Sequence, residues 1–158
     1  AFEVPLMLHI FAEGGAAPRE ERLVVAQRIE HLAVPCAERP AFVVVDPRMR
    51  IVGDVKVKAP RDLLRAQLAS APTARGRWLA AMALASADDP ASLGALAARL
   101  SDTAEHWTVR VECAEALGAK RLPEGFDALR NAGKEPHPKV RRAVVAALGR
   151  YRTPAAVE

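Results

Sequence analysis

The chain has 158 residues, of which 51% are apolar, 4% aromatic and 27% charged, with 23 Lys and Arg against 19 Asp and Glu for a net charge of +4. That balance excludes disorder, and so few rings suit close helix contact through small side chains better than a pocket lined by aromatics. Nothing approaches the roughly 20 apolar residues that cross a bilayer, and Cys36 and Cys113 form no metal-ligand spacing, so two free, largely buried thiols are expected.

Along the chain the first residues alternate. Phe2, Val4, Leu6, Leu8 and Ile10 share one side of a period-two pattern, which predicts a half-buried strand. Glu13-Gly14-Gly15 with Pro18 makes a turn, and a second β-like run covers 22–33, where the segment AQRIEHL equally suits a short amphipathic helix. The β-branched run 41–46 and the alternating run 50–58, kinked at Gly53-Asp54, predict two more strands. Four short strands between turn signals suggest a small antiparallel sheet or half of a sandwich, a β-sandwich-like domain over 1–58. The chain begins mid-strand, without an initiator Met or a leader, so it is expected to be a piece of a longer polypeptide.

From Ala59 the period changes, and a helical domain is expected over 59–158. Pro60-Arg61-Asp62 opens a helix lined by Leu63, Leu64 and Leu68 and ended by Ala71-Pro72. Further helices are predicted at about 75–86, 90–100, 107–118, 123–133 and 138–150. Asp88-Asp89 reads as a helix amino-terminal cap and His106 as a helix-start residue, while Gly118 and Gly149 stand where a left-handed terminator is needed. Six helices pair into three hairpins, and Thr153-Pro154 could open a seventh.

A nine-residue pattern recurs as RWLAAMALA (77–85), RVECAEALG (110–118) and RRAVVAALG (141–149), at offsets of 33 (110 − 77) and 31 (141 − 110). Such a period marks a helical solenoid, in which no unit buries its apolar face alone. Leu96, Leu100, Asp102, Val109, Arg110, Ala114, Ala116, Leu117 and Gly118 resemble the HEAT-type repeat, and Phe126, Leu129, Glu135, Val140, Arg141, Ala147, Leu148 and Gly149 repeat the resemblance. In that family an acid in the hairpin turn and an arginine on the second helix form a ladder between units. The resemblance makes Asp102, Arg110, Glu135 and Arg141 its rungs, with Arg77 lacking an acid in its own turn, 69–74. Those arginines lie among alanines at a helix seam with no nucleophile nearby, which assigns them to stacking.

A wider resemblance follows from the order of segments. FEVPLMLHIF, PAFVVVDPRMRIV (40–52), VKVKAPRDLLRAQLASAP (55–72) and the hairpins after them look like the region following the catalytic domain of M1-family zinc aminopeptidases. It implies a non-catalytic carboxyl-terminal part that shapes or covers a peptide cavity, with the upstream catalytic domain as partner, peptide as a further contact, and zinc held only in that missing domain.

The chain itself lacks H-E-x-x-H, and none of His9, His31, His106 and His137 stands four residues from another. No phosphate-cradling loop or G-x-S-x-G elbow occurs, so no catalytic, cofactor or metal residue is expected in this chain. The alternative is an independent HEAT-type scaffold for a protein partner, with Trp78 and Trp107 as anchors. A third reading is a nucleic-acid binder using Lys134, Lys139, Arg141, Arg142, Arg150 and Arg152; it leaves the first half unexplained, and those charges read first as a solvated face. A cytoplasmic protein without membrane contact is the expectation for location.

Overall fold

The computed structural model describes residues 3–15 and 17–151; Phe2, Arg152 and Thr153-Pro154 lie outside them. Strands β1 (Val4–Phe11), β2 (Arg19–Val25) and β3 (Phe42–Val45) are followed by helices α1 (Arg61–Ser70), α2 (Ala74–Leu84), α3 (Pro90–Ser101), α4 (Trp107–Ala119), α5 (Pro123–Asn131) and α6 (Pro138–Leu148). A three-stranded antiparallel sheet thus precedes a solenoid of three helical hairpins.

The sheet has the order β2-β1-β3, with Leu6 opposite Leu23 and Ile10 opposite Val43. Its second layer is helical: Phe11, Phe42 and Val44 pack with Ala71 and the flanking Ala66 of α1. Phe11 and Phe42 stack with centroids 4.5 Å apart, so two of the chain's few rings fasten the sheet to the first hairpin.

Two predicted runs are not strands for their whole length. The second strand ends at Val25, because the Glu30 carboxylate accepts the Ala26 and Gln27 N–H groups at 2.9 and 3.1 Å and turns the chain, leaving 26–33 neither strand nor helix. The run 50–58 is irregular. Asp46 sits at φ 47°, and its buried carboxylate accepts the Arg50 and Ile51 N–H groups at 2.8 and 3.1 Å, which takes the chain off the sheet edge. Gly53 to Lys56 instead run beside Arg75, Trp78 and Met82 of α2.

Helices α2, α3 and α4 start where a side-chain acceptor meets an unpaired N–H group, whereas α1, α5 and α6 have no side-chain cap. Thr73 accepts from Gly76 at 3.2 Å and Asp89 from Ser92 at 2.9 Å, while Pro occupies the first turn of α3, α5 and α6. Asp89 is held below its ordinary value by the Ser92 hydroxyl and N–H.

The two glycines placed as terminators do something else. Gly118 is buried inside α4, where a Cβ would stand 2.8 Å from the Ala147 Cβ, so its missing side chain lets α6 approach α4. Gly149 is right-handed at φ −58°, and the left-handed residue after α4 is Arg121 at φ 54°. Through such contacts α2, α4 and α6 stack side by side, and Leu64, Leu84, Leu96, Leu117, Leu129 and Val144 form one continuous core through all three hairpins.

Candidate functional site

The arginines at the head of each repeated pattern share one arrangement. Arg77 donates from Nε and Nη2 to the two Glu105 oxygens at 2.6 and 2.8 Å, and from Nη1 to the Ala71 carbonyl at 2.7 Å. Arg110 donates Nη1 to Glu135 Oε1 at 3.1 Å, Nη2 to Oε2, and Nε to the Leu100 carbonyl at 2.9 Å. Each guanidinium therefore holds the turn of its own hairpin with one donor and the next hairpin's glutamate with two. Among the described residues Arg141 makes the first contact alone, donating to the Glu135 and Pro136 carbonyls at 2.9 and 3.1 Å.

Two expected rungs are placed differently. Asp102 pairs with Arg99 of its own helix at 3.1 Å, and the acid facing Arg77 is Glu105, fully buried at its side chain. The spacing carried a usable signal. Glu105 stands five residues before Arg110 (110 − 105) and Glu135 six before Arg141 (141 − 135), whereas Asp102 stands eight before (110 − 102). Arg77 thus has a partner, supplied by the turn ahead of it in the stack.

Burial works to raise the carboxyls of Glu105 and Glu135. The facing arginine, helped by the His106 or His137 N–H, outweighs it and holds both below the usual range. These are charged, matched pairs at a helix seam; Glu135 also borders an open groove of about 470 Å³ with Leu100, Ala128 and Lys134, which gathers no convergent acid, base and nucleophile.

The tryptophans sit near the starts of α2 and α4. Trp107 lies under the Lys139 ammonium, 3.9 Å from its ring centroid, and stacks on His137 at 5.9 Å. Trp78 carries the Arg75 guanidinium at 4.8 Å and lines an open groove of about 440 Å³ with Met49, Ala74, Arg75, His106 and Thr108. His106 caps α4 and its Nδ1 is 2.6 Å from the Thr108 hydroxyl. Glu112 of α4 is raised by burial and by its neighbour Glu115. A larger cleft of about 580 Å³, between the β1–β2 turn and α1, holds the exposed Arg39–Asp62 pair at 2.9 Å and no array of convergent acid, base and nucleophile.

Among the described residues no group of three or more His, Cys, Asp or Glu is placed to hold a metal, and no helix is long and apolar enough to cross a membrane. The thiols differ from the expectation of two buried groups. Cys113 is buried and burial pushes its pKa far up, but Cys36 is exposed on the irregular segment after β2.

The family model for HEAT repeats matches residues 61–132 and 100–158. The chain belongs to the HEAT-repeat family. Human deoxyhypusine hydroxylase, solved in complex with glycerol, is similar at 33% identity and a TM-score of 0.54 over 58% of this chain and 31% of that one. This HEAT-repeat chain therefore spans about a third of the length of that solved relative. No curated protein matches it. None of these similarities is to a zinc aminopeptidase.

Proposed function

We propose that the chain is a HEAT-type interaction module that binds a protein partner across the starts of its second helices. The observation that carries this reading is the groove at Trp78, where Met49, 66% exposed, faces an aromatic ring and a guanidinium without filling the space between them. An exposed methionine beside a partly buried tryptophan and a cation has the composition of a protein-binding hot spot. Both tryptophans pack against the core and carry a cation, but Trp78 borders the open groove and is the anchor, whereas Trp107 lies between Lys139 and His137.

The aminopeptidase reading draws no support from the similarities, and the upstream catalytic domain it names as partner has no counterpart among them. Nucleic-acid binding is weakened by what the last cations do: Lys139 covers Trp107 and Arg150 donates to the Glu115 carbonyl at 3.2 Å.

The test compares proteins retained by the full chain and by a Met49→Ser, Trp78→Ala double variant. Specific partners lost from the variant while its thermal unfolding stays cooperative support the module. Identical retention by both would sink it, and tight, salt-sensitive binding to duplex DNA by both would move the assignment to nucleic acid.

A further inference from the structure

The Trp78 groove holds a charge that its own walls do not meet. Its lining of Met49, Ala74, Arg75, Trp78, His106 and Thr108 contains no acid, and the Arg75 guanidinium lies over the Trp78 ring at 4.8 Å. Arg61, Arg65, Arg77, Arg99 and Arg110 each pair with a carboxylate. Arg75, among the described residues, pairs with none, and its buried Nε has no hydrogen-bond acceptor. Glu112 of α4 is directed at the Trp78 indole, with burial and Glu115 raising its carboxyl, and it forms no pair with Arg75. A buried donor without an acceptor is a cost that an incoming acceptor removes.

We infer that the groove takes a short acidic segment of a partner protein, in which an Asp or Glu carboxylate pairs with Arg75 and a neighbouring apolar side chain lies against Met49 and Trp78. The inference rests on the reading of this groove as the module's binding site and adds the chemistry of what it binds. Charge complementarity selects the occupant. The planar guanidinium fork matches a carboxylate with two donors at once. Ala74 and Arg75 stand in the first turn of α2 and Thr108 in that of α4, so both helices meet the groove at their positive ends. An adjoining groove of about 190 Å³, shared by Arg75 and Trp78, carries one base, Lys56, and one acid, Asp54, and so adds no net charge against an anion. The apolar half of the segment is met by Met49, whose unbranched side chain adapts to varied shapes. At about 440 Å³ the groove has the size of a pocket for a short segment, not for a folded face.

The probe is a displayed library of random peptides of about twelve residues, selected on the full chain and counter-selected on the Met49→Ser, Trp78→Ala variant. Peptides kept by the native chain alone are expected to carry Asp or Glu next to Leu, Ile, Phe or Trp. A fluorescent peptide from that set should lose about tenfold or more in affinity on Arg75→Gln, and as much when its own acid is made an amide. The two changes together should cost no more than either alone, a coupling that a merely structural role for Arg75 does not produce. Arg75→Lys, which keeps the charge without the fork, should restore part of the affinity. Arg75 is half-buried, so each variant should unfold at the native midpoint. Neutral or basic peptides that depend on the groove would overturn the acidic occupant and leave the module reading in place. Acidic peptides indifferent to Arg75→Gln, or no peptide preferring the native chain, would also overturn it, and the module would then stand or fall on its retention of whole proteins. Concentration-dependent association of the full chain that Arg75→Gln abolishes would give the groove to a second copy instead.

Discussion

The helical stack and the sheet reach order by different means. In the stack, one core runs from Leu64 to Ala147, and the seams between hairpins are crossed by Arg77–Glu105 and Arg110–Glu135. The sheet has a small core of Phe11, Phe42, Val44 and Ala71, the last of which belongs to the first hairpin's turn. Repetition lets each unit share burial with its neighbours, whereas the sheet's small core is completed by Ala71 and Ala66 of the first hairpin.

The largest way to break that contrast is to remove one carboxylate from a seam. Glu135→Ala leaves Arg110, 4% exposed, without its charge partner, and is expected to cost about 3–5 kcal/mol in denaturant unfolding, most of it the penalty of an unmatched buried charge. Replacing both partners, Arg110→Met with Glu135→Leu, should recover most of the loss.

The pH dependence sharpens the same point. Both seam glutamates titrate below their unfolded value of about 4.3. Their stabilisation is therefore complete above that value and is lost as pH falls through the lower folded values. A pH series of unfolding free energies should fall less steeply below about pH 4.5 in the double replacement than in the native chain.

On the other side, Phe42→Ala empties the sheet's contact with α1 and is expected to cost about 3 kcal/mol. Amide exchange should rise in β1 and β3 while the helical circular dichroism band is kept; loss of both together would mean that the sheet is part of the stack's cooperative unit. A smaller effect is expected at the end of the last hairpin. The Tyr151 hydroxyl, 3.0 Å from the Leu117 carbonyl and 3.1 Å from that of Leu122, should contribute about 1 kcal/mol, read from Tyr151→Phe. Smallest is Asp102→Asn, under about 0.5 kcal/mol, because the Asp102 side chain is 40% exposed and an Asn oxygen can still accept the Ala104 N–H. A loss matching that of Glu105→Ala would restore Asp102 as the rung.

The helix ends were legible because prolines, caps and the recurring nine residues act within one turn of the chain. Asp89 caps α3, and Pro123 and Pro138 sit at the first positions of α5 and α6 as their local chemistry requires. The acid of the first rung was not. Asp102 and Glu105 are both acids in one turn, and the choice between them depends on which faces a guanidinium 28 residues away in sequence. Gly118 misled for a similar reason: a glycine near a helix end has the same local appearance whether it terminates the helix or admits a neighbouring one. Alternation in 50–58 predicted a strand, but the Asp46 carboxylate accepts the Arg50 and Ile51 N–H groups that a ladder would use.

The amino-acid order alone determined that an antiparallel β segment precedes three helical hairpins, and that arginine heads each second helix, since periodicity and capping are properties of neighbouring residues. Only the tertiary structure decided which glutamate Arg77 and Arg110 each meet, which tryptophan lies under a lysine and which neighbour Gly118 admits. Those outcomes depend on distances between units, and a repeat leaves them open because every unit carries nearly the same local pattern.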